Sequence, residues 1–375
     1  MKKLISVVLF YLNIIAGIAL LLSYLSTFVP PAKIWILAFF GLAYPYFLLI
    51  NILFLIYYIF RGKINFLFSL IIILIGISHL NNFIPLRIGK KFKGSHEEIA
   101  KNKIIILSFN VRAFNVFEWY ANPETSQSII NLIQSENPDI ICLQEYYARP
   151  GSNYKPEKVS SLFRNTPYHY IHYYLKNNTN TGYGIAIFSR FPVVGEGTIS
   201  FKNTSNETIF VDLNAFGDTF RIYNNHLQSV KFQKKNYDFL DSLKLNYGEE
   251  DLREIKDISR KLKTAFEMRS VQVDSISKHI SKCPYPVVVC GDFNDTPVSY
   301  SYRKMKTGLK DAFITAGVGI GNTYAAIFPS FRIDYILHSP EFRPLIFEKV
   351  EAKLSDHYPI LCTFDYKKET VEKTK

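Results

Sequence analysis

The chain has 375 residues, room for two ordinary domains or one large one, and its 44 basic against 32 acidic side chains give a net charge of +12. A positive balance of this size mildly favours anionic partners, nucleic acid or acidic lipid, without choosing between them. Its four cysteines, Cys142, Cys283, Cys290 and Cys362, form no Cys-x-x-Cys pair and no Cys/His zinc spacing, which excludes a zinc-finger type of site; three of them sit in apolar runs and read as small buried hydrophobes.

The mean hydropathy of +0.04 hides a sharp division. Residues 1–85 contain no Asp or Glu, and their only cations are Lys2, Lys3, Lys33, Arg61 and Lys63. Apolar runs at about 4–29, 34–60 and 64–83 each reach the roughly 20 residues that cross a bilayer core, with breaks at Pro30-Pro31 and Arg61-Gly62-Lys63. Tyr24, Trp35, Tyr57 and Tyr58 lie near their ends, as interfacial aromatics do. The expectation is an anchor of three transmembrane helices over 1–85 that binds the lipid bilayer. No small-residue cleavage site follows the first run, and two more spans come next, so an uncleaved anchor is expected rather than a signal peptide. Lys2, Lys3, Arg61 and Lys63 favour a cytoplasmic N-terminus, although Arg87, Lys90, Lys91 and Lys93 pull the other way. Three spans then place the rest of the chain outside the cytoplasm, in a multi-pass protein of the cell membrane.

A basic linker follows over 86–102. Lys103 to Asn110 reads as a buried strand with a polar tip, and Asn122-Pro123-Glu124 as a helix start with Asn as cap and Pro at the first position. Asn137-Pro138 ends that helix, and Asp139 to Gln144 is a second buried strand that delivers Glu145. Short strands are expected at about 168–174, 184–189, 193–201, 209–215 and 218–224, with Gly182-Tyr183-Gly184 as a tight turn. Residues 231–281 are charged and helical in period. Lys231, Lys234 and Lys235, followed by Tyr237, Phe239 and Tyr247, suggest either a substrate-facing arm or an ordinary amphipathic helix. Pro286 to Pro297 then runs Val287-Val288-Val289-Cys290 into Gly291-Asp292-Phe293-Asn294. This is a buried strand whose glycine turn presents an acid and an amide two residues apart. A helix near 299–306 and strands near 333–337 and 360–364 precede a polar tail, 367–375. Mixed helices and short strands point to a layered α/β domain over 103–366 with a partly antiparallel sheet.

Polar residues able to bind a hard cation or move protons recur at these strand ends: Asn110, Glu145, His226, Asp292 with Asn294, Asp334, and Asp356-His357. Any one of them alone is ordinary turn chemistry; an Asp-x-Asn after a strand most often bonds its own backbone. Together in one domain they read as ligands converging on one side of a sheet.

In chain order, Ser108-Phe109-Asn110-Val111, Leu143-Gln144-Glu145, Gly184-Ile185-Ala186-Ile187, Asn225-His226-Leu227, Gly291-Asp292-Phe293-Asn294-Asp295, Arg332-Ile333-Asp334-Tyr335-Ile336 and Ser355-Asp356-His357-Tyr358-Pro359 resemble the endonuclease/exonuclease/phosphatase superfamily. The resemblance covers about 103–365 and none of the apolar part. It implies a four-layer sandwich of two mixed β-sheets flanked by helices, here preceded by the three spans. It further implies Mg²⁺ or Mn²⁺ held by Glu145 with Asn110 and Asp356 nearby. Asp292 would orient or deprotonate water, and Asn294 would hold a phosphate oxygen or a metal. His357 would act on the phosphate or as a base under orientation by Asp334, and His226 would protonate the leaving group. Arg332 suits a phosphate contact or, equally, a structural ion pair. The implied activity is a metal-dependent phosphodiester hydrolase. Histidine at 226 is more similar to the deoxyribonuclease, sphingomyelinase and deadenylase branches than to abasic-site endonucleases. Nucleic acid is the favoured substrate, phospholipid headgroups the alternative, and an idle scaffold that kept the fold the non-enzymatic one.

Overall fold

The computed structural model describes residues 2–85, 101–115, 125–148, 163, 165–176, 182–241, 248–325 and 331–367. The helix start expected at 122–124, most of the linker and the tail fall outside them. The chain divides into two compact units. One comprises Met1–Ile84, Val230–Asp274 and Asp295–Met305, the other Pro85–Ser229, Ser275–Asn294 and Lys306–Lys375.

The first unit begins with five helices: α1 (Lys2–Ser26), α2 (Ile36–Leu42), α3 (Tyr44–Phe60), α4 (Phe66–Ile75) and α5 (Ile77–Phe83). Residues Lys3–Ser26 of α1 are long and apolar enough to cross a membrane. The pairs α2–α3 and α4–α5, bent by 62° and 64°, pass the same criterion only if each pair is taken as one span. Both bends have local causes. Pro45 sits in the first turn of α3. Gly76 separates α4 from α5, where a Cβ would lie 2.0 Å from the Tyr24 ring. Leu4, Ile15, Leu53, Ile59 and Ile75 are among many large apolar side chains left exposed on these helices. Their few polar groups turn inward instead, as in the Ser69 Oγ bond to Asn13 Oδ1 at 2.8 Å.

The charged segment 231–281 becomes two helices, α7 (Lys234–Asp241) and α8 (Glu249–Ile280); α6 lies in the second unit. Acids fill the first turn of α8 and Lys278 and His279 its last, matching the helix dipole. Lys235 pairs with Glu254 at 3.3 Å, tying α7 to α8, while Tyr247 lies outside the described residues. The apolar face of α8 does not form a free arm. Phe266 meets Phe39 edge-on at 5.4 Å, and Lys263 lies 5.1 Å from the Trp35 ring. Further on, Arg303 on α9 (Tyr300–Met305) lies 4.1 Å over Phe28. Val298, six residues beyond Asp292, is fully buried among Leu20, Tyr24, Tyr44 and Ile72.

The second unit holds both sheets. The strands are β1 (Lys103–Asn110), β2 (Ile140–Ala148), β3 (Tyr168–Lys176), β4 (Gly182–Ser189), β5 (Val193–Ile199), β6 (Thr208–Ala215), β7 (Asp218–His226), β8 (Val287–Asp292), β9 (Lys310–Asp311), β10 (Asp334–His338), β11 (Phe342–Lys349) and β12 (Ile360–Tyr366). They form two mixed six-stranded sheets, in the orders β11-β12-β1-β2-β4-β3 and β5-β6-β7-β8-β10-β9. Only β1/β2 and β7/β8 pair parallel, and each pair lies at the middle of its sheet. Ile106, Cys142 and Ile187 of the first sheet meet Val211, Ile222, Cys290 and Ile336 of the second in one apolar core. The outer face of the first sheet is covered by Ile129, Ile130 and Ile133 of α6 (Thr125–Glu136). Against the second sheet, His279 at the end of α8 packs on Phe210 and Tyr223. The expected α/β class of two mixed sheets flanked by helices is therefore the observed one. Cys142, Cys290 and Cys362 are buried in the core, and all four cysteines are free.

Candidate active site

The middle strands decide where the site lies. In parallel pairs the carboxyl ends of both strands emerge on the same side, where layered α/β proteins bind ligands. Asn110 is the last residue of β1, His226 of β7 and Asp292 of β8; in register His226 faces Asp292, and Asp292 faces Asp334 of the antiparallel β10. Below these ends the two sheets are joined by buried amides. Asn224 donates to the carbonyls of Leu143 at 3.0 Å and Ala186 at 2.8 Å, and Gln144 Nε2 donates to Asn224 Oδ1 at 2.6 Å.

Glu145 is delivered by an irregularity. The β2/β4 register shifts between Leu143 and Tyr146, and Glu145 takes a left-handed φ of 52°. Such a bulge re-aims a side chain that a regular strand would have pointed elsewhere. Asp292 and Asn294 are set by the turn that ends β8. Asn294 N donates to Asp292 Oδ1 at 2.8 Å, Asn294 Nδ2 donates to Asp292 Oδ2 at 3.0 Å and to Leu227 O at 3.0 Å, and φ at Asn294 is 53°. The Asx turn and the presented acid are thus one object. Gly291 is at φ 129°, and a Cβ there would lie 2.0 Å from Asn225 O on the neighbouring strand. Gly291→Ala combines backbone strain with overpacking, and a loss of roughly 2–5 kcal/mol is expected. A thermal melt of the variant within 2 °C of wild type would refute that account.

Around Asp292 the other groups close in. Asn110 Nδ2 donates to Asp292 Oδ2 at 3.2 Å and to Glu145 Oε1 at 3.3 Å, while Asn110 Oδ1 accepts from Arg112 N. In this arrangement Asn110 bridges the two carboxylates through its NH₂ and turns its oxygen away from them. His357 Nδ1 bonds both oxygens of Asp334, at 2.9 and 3.1 Å, and its Nε2 lies 3.7 Å from Asp292 Oδ2. His226 Nε2 is 3.8 Å from Glu145 Oε1 and 3.9 Å from Asp292 Oδ2. Both ring nitrogens of His226 are buried without a hydrogen-bond partner among the described residues. Buried polar atoms are rarely left so, and a ligand oxygen would satisfy them.

The charges follow from this packing. Burial pushes Asp292 up to about 6, partly opposed by the positive His357 ring. Burial also raises Glu145, and the Asp356 carboxylate adds to the shift. Burial works against the charged form of His357, yet Asp334 and Asp292 outweigh it and hold its pKa well above the usual histidine range. His226 is lowered, with burial as the cause and Asp292 opposing it.

Two groups of residues could hold a cation. Asp292, Asp334 and His357 bring one ligand atom each within 4.8 Å of one another. There, however, Nδ1 of His357 is already engaged by both oxygens of Asp334. Glu145 with Asp356 is the other: the Asp356 charge helps to raise Glu145, and Glu145 keeps about a fifth of its side chain open to solvent.

All the expected site residues meet except Arg332. Its guanidinium is buried, with Nη1 2.7 Å from Asp311 Oδ2, and lies over the rings of Phe313 and Tyr335. Of the two readings of Arg332, the structure has the internal ion pair and not the phosphate contact. Two neighbours went unforeseen. Arg112, Nε 3.6 Å from Asp356 Oδ2, begins a run of four left-handed residues, Arg112 to Asn115. Tyr183 donates its hydroxyl to Glu145 Oε2 at 2.5 Å; Gly182-Tyr183-Gly184 opens β4 rather than forming a turn, and its one signal in the sequence is an aromatic set between two glycines.

Residues 107–357 match the Endonuclease/Exonuclease/phosphatase family, and residues 3–83 match a Domain of unknown function (DUF8431). No curated protein matches the chain at a significant level. Among solved structures, the chain is similar to an endonuclease/exonuclease/phosphatase from Beutenbergia cavernae, at 16% identity over 71% of this chain and 72% of that one, TM-score 0.52. It is also similar to family proteins from Leptotrichia buccalis (16% identity, 70% and 100% covered, TM-score 0.50) and Bacteroides thetaiotaomicron (16%, 71% and 98%, 0.50). At these identities the likeness to the solved structures is one of fold.

Proposed function

Since the chain belongs to the endonuclease/exonuclease/phosphatase family, we propose that it is a membrane-tethered, divalent-metal-dependent phosphodiester hydrolase with nucleic acid as its first candidate substrate. The observation that carries this reading is the buried Asp334–His357 pair aimed at Asp292, beside a His226 ring with two unsatisfied nitrogens.

Glu145 and Asp356 would hold Mg²⁺ or Mn²⁺, which when bound would polarise a phosphoryl oxygen. Asn110 keeps Glu145 and Asp292 at a fixed separation. Asp292, pushed up to about 6 and fixed by Asn294, suits the orientation and deprotonation of water. His357, held charged by its two carboxylates, offers Nε2 to the phosphate. Neutral His226 supplies a hydrogen bond to the leaving oxygen.

The tether rests on the exposed apolar surface of α1 to α5 and on where their charges lie. Lys63 Nζ bonds Ser6 Oγ at one end of the bundle; at the other end Tyr24 stacks on His79, Arg303 covers Phe28 and Phe83 stacks on Tyr44. Lys3, Arg61 and Lys63 gather at the first end. With three spans, that end faces the cytoplasm and the catalytic residues lie outside it.

A second reading, a phospholipid phosphodiester as substrate, is favoured by Val318 and Ile320. They are 71% and 68% exposed in the loop that leads to Tyr324, whose ring is 5.3 Å from His357. Full-length protein in detergent, supplied with Mg²⁺, is offered plasmid DNA, RNA, sphingomyelin and bis-p-nitrophenyl phosphate in parallel. Cleavage abolished by EDTA is expected. Nicking of DNA without lipid cleavage would remove the lipid reading, and the reverse would remove the nuclease one. Failure to cleave any of them, with no Mn²⁺ binding by calorimetry, would leave an idle scaffold.

A further inference from the structure

We propose that Tyr183 is a positioning residue that sets the metal affinity of the site by holding the Glu145 carboxylate; the proposal rests on the assignment of Glu145 as a metal ligand. Glu145 is a strained position. A non-glycine residue at φ 52° is strained and stays there only if its surroundings hold it. Two side chains do so. Asn110 donates to Oε1 at 3.3 Å, and Tyr183 donates to Oε2 at 2.5 Å. The second is the shorter, with the separation typical of a hydroxyl on a charged carboxylate.

Tyr183 can do this because it is itself fixed. It lies on β4 directly opposite Tyr147, two residues past Glu145 and just beyond the register shift. Its ring is gripped edge-on by Tyr174 at 5.4 Å and by Tyr147 at 6.4 Å. Burial, and then the charge of Glu145, push its pKa above the usual phenol range, so the hydroxyl remains a donor. With Oε2 engaged, Oε1 is the oxygen turned toward His226 and the rest of the site. A donor of this kind orients the carboxylate and favours its charged form, the one a cation binds, and loss of such partners lowers metal affinity about 10–100-fold.

Tyr183→Phe removes the hydroxyl and keeps the ring contacts. Full-length protein, stripped with EDTA and dialysed, is titrated with Mn²⁺ by calorimetry, with Glu145→Ala alongside. The expected result is a Kd for Mn²⁺ raised about 10–100-fold in Tyr183→Phe, a metal-free melting temperature unchanged within about 2 °C, and turnover restored at saturating Mn²⁺. Glu145→Ala should lose the binding altogether. Wild-type Mn²⁺ affinity in Tyr183→Phe beside lost binding in Glu145→Ala would overturn the role of Tyr183. So would lost turnover that saturating Mn²⁺ does not restore. Wild-type binding in both variants would instead overturn Glu145 as the metal ligand and with it the metal site proposed above.

Discussion

Asp292→Asn is expected to lower phosphodiester turnover by about 10³-fold while leaving the protein as stable as wild type, or more so. The two effects share one cause. Asp292 is 1% exposed, and its carboxyl is raised from 3.8 to about 6. A carboxylate whose folded pKa lies above its unfolded value costs stability at any pH above both, because folding then desolvates a charge. At pH 8 that cost is of the order of 2–3 kcal/mol. Asn keeps the shape of the side chain, and its oxygen still accepts from Asn294 N. Its NH₂ would face the amides of Asn110 and Asn294, which offsets part of the gain. What it cannot do is take a proton from water. The discriminating measurement is therefore paired: a melting curve and a turnover rate on the same preparation at pH 8. A variant that melts well below wild type would make Asp292 a structural residue, and one that keeps wild-type turnover would remove it from the mechanism.

The chemistry of the strand ends was legible in the sequence because two separate patterns agree there. Continuous apolar runs such as Val287 to Cys290 can only be interior strands, and a polar residue that ends such a run is held at the edge of the core. Asn110, His226 and Asp292 follow from this alone, since each closes a strand of one of the two parallel pairs. Glu145 was identified by type rather than by direction. Its aim depends on a bulge, and the donor that restrains it, Tyr183, belongs to another strand whose register the bulge sets. The choice between the two readings of Arg332 was out of reach for a similar reason. Its neighbours in sequence place it beside Asp334, but its partner is Asp311, which lies 21 residues earlier and also caps α10 (Ala312–Ala316) through Phe313 N. β11 was missed because Pro344 interrupts it and most of its residues are only half buried, an edge-strand pattern that resembles a loop.

The segment 231–281 shows the same limit on a larger scale. Its helical period is plain in the chain, and the structure confirms two helices. Period identifies a face that must be covered without naming the cover. Here Phe266 and Lys263 meet Phe39 and Trp35, residues more than 200 positions earlier. The helices expected to serve only as an anchor therefore share a core with the turn that follows the site, through Val298. A fragment beginning after residue 85 would expose that core.

Asp334→Ala and His357→Ala are each expected to lower turnover by about 10²–10⁴-fold, and the double variant is expected to fall no further than the worse of the two. The reason is the geometry of the pair. His357 Nδ1 is engaged by both oxygens of Asp334, so the acid reaches the substrate only through the ring that it orients and keeps charged. Groups that act as one unit are non-additive: once the ring is gone, the carboxylate has nothing left to hold. Asp334→Ala should also leave a buried ring drawn toward Asp292 alone, whose Oδ2 is 3.7 Å from Nε2. Asp334→Asn separates orientation from charge. Its oxygen can still accept from Nδ1, so it should retain more activity than Asp334→Ala while lowering the pKa of His357, which NMR titration of the ring would read directly. Multiplicative losses in the double variant would mean that Asp334 and His357 act on separate steps, and the reading of Asp334 as the group that works through His357 would fall.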